Sequence, residues 1–252
     1  MYGLRTRYLA SVFLEADDIT PTKHFISDLM DAFGDEEFVP DMQQELTPLG
    51  IKQRIGFRGV DGSKVLTLNG QRFDFIWLPS GLEKGEPAEL AEFDLFCKEA
   101  ATKLVISIDY FARKGHRLAA VQEGFLREMP TSVMEEIAQR LLKLPRFYCD
   151  SMIFEWDWRV ASLVERHVGE LTEPTNNITT VRRSTGHLLL IPGGQPLRQI
   201  DGIRVDFDIN TNPGYSAQRF GDVHLRSFFE QAPAWHGSLS SEVFSHMCGS
   251  ES

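Results

Sequence analysis

Apolar residues recur along this chain with two spacings, every second position and every third or fourth, and these divide it into strand and helix candidates. Residues 8–15, rich in Val, Phe and Leu, predict a first strand. Thr20 and Pro21 predict a helix start, because Thr caps orphan amides and Pro suits the first helical position. Phe25, Ile26, Leu29, Met30 and Phe33 follow at helical spacing, with Gly34 as the stop. Residues 43–78 predict a β-meander with Asn69-Gly70 as a hairpin turn. Beyond it Phe73, Phe75 and Trp77 alternate with Arg72, Asp74 and Ile76, so one side of that strand is aromatic and buried.

Pro87 opens a helix expected over 86–114, about 40 Å long at 1.5 Å per residue. Its apolar positions are Leu90, Phe93, Cys97, Ala100, Leu104 and Ile108, and Gly115 ends it. A strand is expected over 116–129. Ser132 and Glu135 then read as a capping box for a helix that runs to Leu144. Strands are expected at 151–164, 177–183, 186–191 and 202–209, with a loop at 192–196. The last stretch, 221–247, reads as helical but interrupted by Pro233 and Gly237.

This order predicts an α+β fold, mainly antiparallel sheet packed against long helices, with two similar βα halves as a possible arrangement. The halves are 1–148 (βαβββαβα) and 149–252 (ββββα), packed as one globular unit. No residue-level repeat joins them.

Composition agrees with a packed core: 42% of the 252 residues are hydrophobic, and 18 Phe, 5 Tyr and 4 Trp supply large buried areas. The net charge of −10 disfavours nucleic-acid binding over the whole surface, since that binding rests on Lys and Arg displacing counterions. Cys97, Cys149 and Cys248 have no disulfide or zinc spacing, so they read as reduced thiols of a soluble, cytoplasmic protein, with Cys97 buried. The apolar run near the N-terminus is broken by Ser11 and followed by acids, unlike a secretory signal. No stretch approaches the ~18 apolar residues of a membrane span.

Two strands carry candidate chemistry. Phe154, Trp156 and Trp158 alternate with Glu155, Asp157 and Arg159, and Arg204, Asp206 and Asp208 alternate with apolar residues. If the two strands are neighbours, Glu155, Asp157, Asp206 and Asp208 converge. That set fits a divalent cation or general acid–base work. The competing reading is a solvated face whose acids pair with arginines across strands. The seven histidines lack metal-binding spacing, and no phosphate-cradling loop or nucleophile elbow is present, so no cofactor is implied. Arg182 and Arg183, near Arg198 and Arg204, form the one basic feature. Trp235 and Phe244, in the distal part 235–247, either close the core or present an apolar helix face to a partner.

The layout resembles a sporadically distributed, largely uncharacterised family of bacterial proteins of similar length. The residues that carry the resemblance are Arg117-Leu118-Ala119-Ala120-Val121, then Asp206-Phe207-Asp208-Ile209, then a Leu- and Phe-rich helix containing Leu225 and Phe229. The proline-rich start common in that group is missing. The resemblance implies a non-enzymatic component of accessory gene clusters, including phage-defence and CRISPR-associated ones, and supplies no catalytic residues. The expectation is therefore a protein-interaction component: an adaptor, inhibitor or sequestering subunit whose partner is another protein. The alternatives are a metal-dependent hydrolase or nuclease built on the acidic strands, or a nucleic-acid-binding regulator using the arginines of 182–204.

Overall fold

A computed structural model describes residues 2–33, 38–47, 50–80, 89–149, 151, 153–188 and 198–249. Among them nine strands form a single antiparallel sheet in the order β2-β3-β4-β5-β1-β6-β9-β8-β7. In chain order these are β1 (Tyr2–Phe13), β2 (Phe38–Thr47), β3 (Gly50–Gly59), β4 (Lys64–Leu68), β5 (Arg72–Trp77), β6 (Arg117–Leu126), β7 (Trp156–Val168), β8 (Leu171–Leu188) and β9 (Arg198–Thr211). The helices are α1 (Lys23–Phe33), α2 (Phe93–Tyr110), α3 (Thr131–Leu141), α4 (Arg146–Cys149) and α5 (Asp222–Cys248). The expected α+β class is what forms. No helix among the described residues is long and apolar enough to cross a membrane.

Strand period decides which residues the helices cover. On β1, Tyr8, Ala10 and Val12 are fully buried and join Phe73, Phe75, Phe57 and Leu66 under α2. On β9, Ile203, Val205 and Phe207 join Trp156, Val181 and the α3 residues Met134 and Ile137 in a second apolar cluster. α5 spans both clusters: Leu225, Phe228 and Phe229 lie in the first, Met247 in the second, and Leu239 touches each. At the start of β1 the pairing with β6 slips twice, between Tyr2 and Leu4 and between Arg5 and Arg7. A one-residue slip exchanges the faces of a strand, so Arg5 reaches the acids near α2 while Arg7 points to the opposite face.

Several expectations need correction. α2 has 18 residues, and Pro87 lies outside the described residues. The helix stops at Tyr110 rather than Gly115, where Phe111 and Ala112, the latter at φ 49°, turn the chain. Its amides start at Phe93 with Glu92 as N-cap. The capping box at Ser132 does not form: Pro130 precedes α3 and no side chain caps it. On α1 the cap is Thr22, whose hydroxyl accepts the Phe25 amide at 3.3 Å. The strands expected at 177–183 and 186–191 are one strand, β8, paired with β9 from Thr175 to Leu188.

α5 runs unbroken for 27 residues with Pro233 inside it. A proline there removes one helical hydrogen bond and costs about 3 kcal/mol. The burial of Phe228, Phe229 and Ala232 on one side and His236 on the other outweighs that. The division drawn at 148 falls within α4, and one sheet runs on both sides of it.

Candidate functional site

The face of the sheet opposite the two clusters carries the polar chemistry. Reading across the strands, Arg7 lies opposite Glu123, Glu123 opposite Asp206, Asp206 opposite Thr180, and Thr180 opposite Arg159. Side chains directly opposite share a face, so this row and its neighbours make one surface.

Ion pairs link it strand to strand. Arg7 pairs with one oxygen of Glu123, and Arg204 Nη2 donates to the other at 2.8 Å. Arg204 Nε donates to Asp206 at 2.8 Å, and Arg182 Nη2 donates to the same carboxylate at 2.9 Å. Four strands are thereby tied in a row: β1, β6, β9 and β8. A second line runs Asn176 to Asn210 at 3.0 Å and Asn210 to Asp208 at 2.9 Å. On the other side of β1, Ser11 Oγ donates to Asp74 at 2.5 Å, and Arg72 pairs with that acid.

Across β5, β1, β6, β9, β8 and β7, among the described side chains, this face holds six arginines (Arg7, Arg72, Arg117, Arg159, Arg182, Arg204) and six carboxylates (Asp74, Glu123, Asp157, Glu165, Asp206, Asp208). None of those strands contains a lysine. Among the described residues Arg117 makes no ion pair and its Nε has no hydrogen-bond partner; its guanidinium lies 4.5 Å from the Phe13 ring centroid. Burial pulls the Arg117 pKa down, and Asp208 opposes that shift. Burial pushes the Asp208 carboxyl above the ordinary range, opposed by Asn210, Arg117 and Arg159. Asp74 is raised for the same reason, against Ser11 and Arg72.

The four carboxylates singled out from the sequence do not converge. β8 lies between β7 and β9, so the neighbourhood they needed is not formed. Asp206 is held by Arg204 and Arg182. Glu155 precedes β7 and is exposed. It lines a shallow depression of about 500 Å³ with Asp157, Arg182 and Arg183. Phe154 does not share the side of Trp156 and Trp158; it stands before the strand and is exposed. Among the described residues no three potential ligands gather to hold a metal ion.

Arg182 and Arg183 point to opposite faces of β8. Arg183 is buried, grips Asp201 through Nε and Nη2 at 3.0 and 2.9 Å, and donates to the Ile153 carbonyl at 2.9 Å. The Arg198 side chain lies outside the described residues. Trp235 packs edge-on to Phe228 at 5.6 Å with Arg166 over its ring. Phe244 meets Tyr2 at 5.5 Å and Phe207 at 5.7 Å. Both rings are thus engaged with the fold.

One cleft has no counterpart in the sequence reading. It holds about 470 Å³ and is lined by Arg5, Glu89, Glu92, Arg127, His236 and Ser240 among others. Three buried polar atoms belong to residues that line it and lack a partner: Tyr2 Oη, Arg5 Nε and His236 Nδ1. His236 is 2% exposed, and its Nε2–H donates to the Ala120 carbonyl at 3.0 Å. Burial drives its pKa down to about 4, so the ring is neutral. The cleft offers a small polar ligand the donors Tyr2 Oη and Arg5 Nε, the acceptor His236 Nδ1 and the carboxylates of Glu89 and Glu92. No spacing signals it, because Arg5 reaches it only through the register slip between Arg5 and Arg7.

No protein-family model matches the chain, and no curated protein matches it. The geometry of the bare face therefore carries the functional argument.

Proposed function

We propose that this chain is a protein-interaction component, an adaptor, inhibitor or sequestering subunit, that binds its partner through the bare face of the sheet and performs no catalysis. The observation that carries the reading is the arginine-for-lysine bias of that face. Arginine is enriched and lysine depleted where proteins meet, because the planar guanidinium stacks, donates in a fixed fork and is weakly hydrated. Here Arg7, Arg72, Arg182 and Arg204 are held in place by carboxylates before any partner arrives, so little of their side-chain freedom remains to be lost on binding. Arg117, stacked on Phe13 with Nε unpartnered, is the natural anchor.

The order of elements supports a reading of two similar halves. β1 is followed by α1, a four-stranded meander β2–β5 that returns to the side of β1, and α2; β6 is followed by α3, the short α4, a three-stranded meander β7–β9 that returns to the side of β6, and α5. The two would meet at β1 and β6 and merge their bare faces into one surface. A bacterial accessory or defence setting, and a cytoplasmic location, rest on the resemblance and the composition alone.

Affinity capture from cells of the source organism tests the function. Wild-type chain retains a discrete partner, and a variant carrying Arg117→Ser and Ile178→Ser, both on the bare face, loses it while keeping its melting temperature. Equal retention by both proteins would exclude this face as the binding surface.

A further inference from the structure

The two edges of the sheet are protected unequally. β2, at one edge, carries Pro40, which has no amide to donate. Such a device discourages an edge from pairing with another chain. β7, at the other edge, has neither proline nor lysine, and it pairs with β8 over thirteen residues without a slip. Every residue from 159 to 165 is exposed. Apolar side chains are among them: Val160 at 45%, Leu163 at 58% and Val164 at 42% exposure.

We infer that β7 pairs antiparallel with β7 of a second copy of this chain, about a two-fold axis at Ser162. The charge pattern selects the occupant and the register. Side chains keep their faces only if residues of equal parity lie opposite each other. With the axis at Ser162, Arg159 lies opposite Glu165 and Asp157 opposite His167, each twice, as an isologous interface requires. Val160 lies opposite Val164, and Ala161 opposite Leu163. Among the described residues neither Arg159 nor Glu165 makes an ion pair within its own chain, so both are available. Moving the axis one residue to Ala161 sets Asp157 against Glu165, a like-charge pair. Moving it to Leu163 sets Arg159 against His167 and Val160 against Arg166. The pairing joins the two sheets edge to edge and covers the exposed valines.

This inference is independent of the partner reading above, because it concerns the purified chain alone. Sedimentation equilibrium of the full chain at micromolar concentrations tests it, against the monomer mass of 28.6 kDa. A dimer is expected. Arg159→Glu sets Glu against Glu165 at two places and weakens association roughly tenfold or more, and Glu165→Arg does the same. The double variant Arg159→Glu, Glu165→Arg restores the pairs and the dimer, which also shows that the single variants had not lost their fold. A wild-type monomer, or a dimer indifferent to these substitutions, would overturn the inference.

Discussion

Along β1, Tyr8, Ala10 and Val12 are sealed beneath α2, while Leu9 and Phe13 on the alternate positions stay half-buried and Arg7 joins a lattice of guanidinium and carboxylate groups. The two faces of one sheet are thus held by different forces. The covered face is held by burial of large rings such as Phe73, Phe75, Phe207 and Phe228, which is non-directional and scales with area. The bare face is held by directional pairs whose arginines reach water, at 32–45% of their side chains, and which therefore contribute little each. Stability belongs mainly to the first face, and recognition, in this account, to the second.

The comparison breaks most readily on the covered face. Phe228 is fully buried and meets Phe229 and Trp235 edge-on. Phe228→Ala is expected to cost about 3–5 kcal/mol in urea unfolding, from lost burial and the cavity left behind. A loss below about 1 kcal/mol would mean that α5 does not join the two clusters.

Acid separates the faces by sign. His236 on the covered side has a folded pKa lowered from 6.5 to about 4 by burial. Its contribution is complete above pH 6.5 and is lost as pH falls towards 4, because the unfolded chain binds the proton first. The full loss is of order 3 kcal/mol. Asp74 and Asp208 on the bare face act oppositely: their raised pKa values let the folded state take up protons first, so acidification relieves the cost of burying their charge. Melting temperatures followed from pH 7 to 4 should fall less steeply in His236→Gln than in wild type. Parallel curves would contradict the assignment.

A smaller effect is expected within the lattice. Glu123→Ala removes the carboxylate shared by Arg7 and Arg204. Both arginines are about a third exposed and can turn to water, at 39% and 32% of their side chains. The loss should therefore be only about 1–2 kcal/mol. A loss matching that of Phe228→Ala would mean that the lattice is a second core.

Much of the covered face was legible in the sequence, because strand and helix periods state directly which side is apolar; the aromatic alternation at 73–77 is an instance. The lattice was legible only as alternation. Asp206 and Asp208 were visible as charged positions on one side of a strand, but which strand lies beside β9 is set by chain topology, and β8 rather than β7 takes that place. The continuity of α5 was hidden because local rules read Pro233 as a break, whereas burial on both sides of it decides the outcome. The cleft beside His236 was hidden because the register slip between Arg5 and Arg7 turns Arg5 to a side that simple alternation does not assign.

The account rests on the bare face being where another protein sits, and a photo-crosslinking amino acid tests this directly. Placed at Thr180, in the middle of the arginine lattice, and separately at Leu95, exposed on α2, it would be activated in cells of the source organism. The account predicts one discrete protein adduct from position 180 and none of that mass from position 95. No adduct at 180, or the same adduct from both positions, would contradict it.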